Sequence, residues 1–125
     1  RMELHTANKN ETLITAGIEI QALNIAIECM LCQIIDNEKD IDWISSTLHL
    51  AYEQKACLKT ALQYDVPSVS KLCQSLMAYN RAIISVCLMI LDENTPLSDR
   101  SEAALTLSRK QRQLANQLIS TIADL

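Results

Sequence analysis

The residues with the most chemical potential in this chain are its five cysteines, Cys29, Cys32, Cys57, Cys73 and Cys87. Cys29 and Cys32 form a C-x-x-C, a spacing that elsewhere makes a redox pair or half of a zinc site. No second C-x-x-C and no nearby His completes a tetrahedral ligand set, and no flanking Gly or Pro supplies the turn of a zinc knuckle. A redox pair gains its reactivity at a helix N-terminus, where the dipole lowers the thiol pKa, whereas this pair falls late in a helical pattern. The expectation is that no metal or cofactor is bound and that the thiols are small apolar fillers of a core. Cys29 and Cys32 remain the candidates for an alternative reading, a soft-metal or redox sensor. An odd cysteine count without a secretory pattern at the start of the chain points to a reducing, cytoplasmic setting.

The other reactive types form no constellation. His49 sits in a helical stretch, as does the reactive His of phosphotransfer bundles. Those domains follow it with a Lys and small residues that admit a partner, and the run His49-Leu50-Ala51-Tyr52-Glu53 does not. His5 falls in the tail. Glu19, Glu28, Glu38, Glu53 and Glu102 are scattered, with no Glu-x-x-His pairs of the di-iron kind. The single glycine, Gly17, excludes a Gly-rich phosphate loop. No catalytic residue is nominated, and the chain is expected not to be an enzyme.

Composition says what would position such residues. Hydrophobic residues make up 49% of 125 and charged residues 21%, with one Gly, two Pro and no Phe. Sheets need Gly, Asn and Pro for their turns, so this scarcity predicts long helices with few connections and an aliphatic core. A net charge of −4 argues against a general nucleic-acid binder, and the basic cluster Arg109, Lys110 and Arg112 reads as a solvated helix face. The longest apolar stretch, Thr12 to Ile35, is interrupted by Glu19, Gln21, Asn24, Glu28 and Gln33, so neither a membrane span nor a membrane partner is expected.

Periodicity predicts four helices. The first runs from about Asn10 to Asp36 on Leu13, Ala16, Ile20, Leu23, Ile27, Met30 and Ile34. The second runs from Ile41, capped by Asp40, to Tyr64, with Ile44, Leu48, Ala51, Leu58 and Leu62 inward. Asp65-Val66-Pro67 ends it, and Pro67 opens the third, which reaches Leu91 or Asp92 on Val69, Leu72, Leu76, Tyr79, Ile83, Val86 and Ile90. Thr95 and Pro96 start the fourth, carrying Leu97, Ala104, Leu107, Leu114, Leu118 and Ile122. The fold class is all-α, a four-helix up-down bundle over residues 10–125, behind a flexible N-terminal tail of residues 1–9.

The chain also resembles itself. At an offset of 56 residues (Asn24 onto Asn80), Ala22, Asn24, Ala26, Ile27, Ile34 and Asp36 meet identical residues. One residue of slippage then lays Leu48, Leu50 and Gln54 onto Leu105, Leu107 and Gln111. This predicts two similar hairpins, 10–64 and 67–125, related by an approximate two-fold axis. Asn24 and Asn80 should sit at equivalent edges of the apolar stripe and fix register between helices one and three.

Ile14, Ile18, Ile25, Trp43, Ile84 and Leu88 fall off the inward stripes. Helices one and three are therefore expected to bury a second apolar face, either centrally or against a partner. The functional expectation is a non-catalytic protein–protein interaction module or small regulator that uses these six residues. Homodimerisation is the simplest case, because two-fold pairs are the commonest assemblies.

Overall fold

A computed structural model describes the backbone of residues 2–37, 41–93 and 97–125, with side chains described over 9–36, 42–92 and 99–125. It contains helices α1 (Met2–Asn37), α2 (Ile41–Leu62), α3 (Pro67–Glu93) and α4 (Leu97–Ala123), and no strand among the described residues. Each helix packs on two neighbours. α1 and α3 both lie against α2 and α4, so α1 faces α3 across one diagonal and α2 faces α4 across the other. This is the up-down four-helix bundle that short connections favour.

Helix bounds follow local chemistry. α1 begins at Met2 rather than near Asn10, so the helix includes residues 2–9. Met2, Glu3, Leu4, Ala7 and Lys9 are good helix formers, and nothing in that stretch is Gly or Pro. The expected caps Asp40, Thr95 and Pro96 lie outside the described residues. α2 stops two residues early, at Leu62, in a tightening turn where the Gln63, Tyr64 and Asp65 amides reach back to Thr60, Ala61 and Leu62. Asp65 then takes φ = 50°, a left-handed conformation that costs an L-residue energy and suits glycine. Asp65→Gly is expected to stabilise the chain by about 0.5–1 kcal/mol and Asp65→Val to destabilise it, as read from urea midpoints.

The inward faces are rotated from the expected stripes. On α1 the fully buried positions include Leu13, Ile20, Asn24, Ile27 and Leu31, while Leu23 and Met30 are only half-buried. On α2 Thr47 and Gln54 are inside and Leu48 is half-buried; on α3 Cys73, Asn80 and Cys87 replace Leu72, Tyr79 and Val86; on α4 Ser108 and Gln111 replace Leu107 and Leu114. The cause is common to all four helices: each turns a polar side chain toward the bundle axis at mid-length. These side chains form one layer that divides the core. An apolar cluster including Leu13, Ile20, Leu58, Leu76 and Leu118 lies on one side of it. Another, including Ile27, Leu31, Ile44, Ile83 and Ile90, lies on the other.

Candidate functional site

The amide layer sets how α1 and α3 are rotated, and so decides what they show to solvent. Asn24, Gln54, Asn80 and Gln111 are all 0% exposed. Asn24 donates to the Ser108 carbonyl at 2.9 Å and to Gln111 Oε1 at 2.8 Å. Asn80 donates to the Ala51 carbonyl at 2.8 Å and to Gln54 Oε1 at 3.0 Å. Gln54 and Gln111 meet on the axis and exchange two bonds, 3.0 and 2.9 Å, and each spends its remaining hydrogen on a main-chain carbonyl, of Ile20 and Leu76. Every side-chain N–H of the four amides is therefore satisfied, whereas the buried Oδ1 atoms of Asn24 and Asn80 have no hydrogen-bond partner. Asn24 and Asn80 lie fully inside rather than at the edge of the apolar stripe, and they are linked through the glutamines of α2 and α4. Bond for bond, the α1 and α3 partners stand 56 residues apart and the α2 and α4 partners 57 (Gln54 to Gln111).

With Asn24 turned to the axis, the opposite side of α1 presents Ile14, Ile18, Ala22, Ile25 and Cys29, spaced three and four apart as one outer strip. Ile14, Ile18 and Ile25 are 44%, 53% and 41% exposed. Ile14 and Ile18 also border an apolar groove completed by Ile119, Ile122 and Ala123 of α4. Gly17 lets the two helices approach closely beside it: a Cβ built there would lie 3.1 Å from Ile122 Cδ1.

The remaining expected contact residues divide. Leu88 is on the surface, beside Met89, at the far end of α3. Trp43 is half-buried against the second core cluster. Ile84 is 7% exposed and belongs to that cluster, which corrects its place on an outer face; turning Asn80 and Cys87 inward carries Ile84 in with them. More telling are the α3 positions that correspond to Ile14, Ile18, Ile25 and Cys29 at the offset of 56, namely Ser70, Gln74, Arg81 and Ser85. These four α3 positions are polar, and the exposed large apolar residues of α3, among the described ones, are Leu88 and Met89 toward its end.

The strip has charged ends. Glu28, with its side chain 12% exposed, takes Arg109 at 3.3 Å and also Arg112 from α4, so these arginines brace α1 rather than forming a freely solvated face. Gln21 bonds Asn116 at 2.6 Å one step along, and the exposed Glu11 and Asp124 lie toward the opposite end.

The thiols do not gather. Among the described residues no three His, Cys, Asp or Glu side chains are placed to hold a metal ion. Cys29 is exposed, Cys32 half-buried, and Cys73 and Cys87 are in the core. Cys57 opens on a groove between α1 and α2 and donates to Glu19 Oε2 at 3.2 Å. Burial, that hydrogen bond and the charges of Glu19 and Glu53 push its pKa from 9.0 to about 11; burial alone does the same for Cys73 and Cys87. These three are thiols, not thiolates, at neutral pH, which suits neither attack nor ligation. At about pH 8, iodoacetamide should modify Cys29 well before Cys73 and Cys87, as resolved by peptide mass spectrometry. Because the folded state raises the pKa of the buried pair, their contribution to stability is complete below about pH 9 and is lost as pH rises through about 11. His49 is exposed and lies 3.2 Å from Glu53.

The stretches Lys9–Asp36 and Pro67–Asp92 are long and apolar enough to cross a membrane by length and composition, contrary to the expectation that interrupting polar residues would prevent it. Core helices of bundles share that property, although only 28% of the α1 window and 39% of the α3 window are buried here. The sequence matches no family model, and no curated protein or solved structure matches it.

Proposed function

We propose that the chain is a non-catalytic interaction module whose contact surface is the outer strip of α1. The observation that carries this is the difference between the hairpins: positions equivalent in the fold are Ile14, Ile18, Ile25 and Cys29 on one and Ser70, Gln74, Arg81 and Ser85 on the other. The bundle tolerates a polar strip there, so its own packing does not require the apolar one. Exposed apolar side chains grouped on one surface favour a partner that removes them from water. The matching amide bonds support an origin by duplication of one hairpin, after which one copy's surface became the contact face. The dispersal of the cysteines, with no three metal-binding side chains placed together among the described residues, weighs against the soft-metal alternative at Cys29 and Cys32.

The test is a face exchange in the full chain: Ile14→Ser, Ile18→Gln, Ile25→Arg and Cys29→Ser together. Surface substitutions outside the core cost little, so the melting temperature is expected to stay within about 5 °C. In extracts of the producing cells the unaltered chain should sediment in an assembly heavier than its 14.0 kDa, and the exchanged chain as 14.0 kDa alone. An unaltered chain that sediments alone overturns the proposal.

A further inference from the structure

We infer that the occupant of this face is a second copy of the same chain, laid antiparallel along α1 about a two-fold axis crossing the helix between Gln21 and Ala22. The inference rests on the contact-face reading above and names its partner.

Three features of the strip point to this arrangement. First, its apolar residues are symmetric in the helix: Ile18 and Ile25 lie equally far from the Gln21–Ala22 midpoint, and so do Ile14 and Cys29. A two-fold axis there sets Ile18 on Ile25 of the second copy and Ile14 on its Cys29, so apolar meets apolar throughout, as a self-complementary surface demands. Second, the side chains at the axis are small or short, Ala22 and the Gln21 amide held aside by Asn116, so two helices can approach. Third, the ends carry opposite charge. One has Glu11 and Asp124; the other has Arg109 and Arg112, which share the single carboxylate of Glu28 and so leave one positive charge over. The antiparallel pairing brings the acidic end of each copy to the basic end of the other, whereas a parallel pairing sets like on like. The α3 strip, with Arg81 near its middle, lacks the apolar symmetry.

So short an interface predicts weak, concentration-dependent pairing. Sedimentation equilibrium of the purified full chain under reductant, from about 10 μM to about 1 mM, should show the mass rising from 14.0 kDa toward twice that value. Ile18→Asp should hold it at the monomer mass. Glu11→Lys and Arg109→Glu should each weaken pairing roughly tenfold at low salt, since every altered contact occurs twice. The two together should restore it to within a few-fold, because the two altered positions are again opposite in charge; Arg112 remains on Glu28 throughout. A monomer over the whole range, or a double variant weaker than either single one, overturns the self-pairing. If the purified chain is monomeric while the face exchange still dissolves the assembly in extracts, self-pairing fails and the contact-face reading stands; a chain that is alone in both experiments removes both.

Discussion

Gln111→Leu is expected to cost about 2–4 kcal/mol of stability, and Gln54→Leu about the same, because each strands the polar groups that the lost amide satisfied. Without Gln111, the Leu76 carbonyl, one donor and one acceptor site of Gln54, and one donor of Asn24 are left dry in the bundle centre. Removing both glutamines eliminates the bonds between them in a single event, so the double variant should lose clearly less than the sum, with a coupling of about 1 kcal/mol or more. Urea unfolding of the four corners of this cycle measures it. Additive losses below about 1 kcal/mol each would mean that water satisfies these groups and that the layer does not hold the helix rotations.

Ile27→Ala and Ile83→Ala form the second large pair. Both side chains are 0% exposed, they stand at equivalent places beside the amide layer, and both belong to the same apolar cluster. Each truncation should cost about 3–4 kcal/mol, from lost burial plus a cavity that close packing refills only in part. Ile18→Ala, on the outer strip of the same helix as Ile27, should cost under about 0.5 kcal/mol in the lone chain. Equal losses at Ile27 and Ile18 in thermal or urea unfolding would show that the outer strip is packed rather than free.

These contrasts bear on what the residues alone disclosed. Four helices and their connections were legible because Pro67 and the polar runs at 37–40 and 93–96 break otherwise continuous helix formers. The rotation of each helix was harder to read. An apolar stripe drawn through Leu23, Leu48, Tyr79 and Leu107 scores better by hydrophobicity than one through Asn24, Gln54, Asn80 and Gln111, yet the bundle chose the second. Its reason is cooperative: a buried amide is unfavourable alone and more tolerable once neighbouring helices accept its N–H groups, and no single helix discloses those partners. The clue available was the self-alignment, which placed Asn24 on Asn80 and Gln54 on Gln111 before any contact was known. Ile84 was misplaced outward for the same reason, since its side depends on where Asn80 points. The α1 strip was found as Ile14, Ile18 and Ile25, but its meaning came only from comparing Ser70, Gln74 and Arg81 at equivalent places in the fold.

The central claim, that the outer strip of α1 is a contact face and its α3 counterpart is not, is tested most directly by photocrosslinking in the producing cells. A photoreactive amino acid is placed singly at Ile14, Ile18 and Ile25, and at Ser70, Gln74 and Arg81. The account predicts discrete protein adducts from the first three sites and none from the second three, with adducts of twice the 14.0 kDa chain mass where a second copy is the occupant. Equal yields from both strips, no protein adducts at all, or adducts to lipid alone would contradict it.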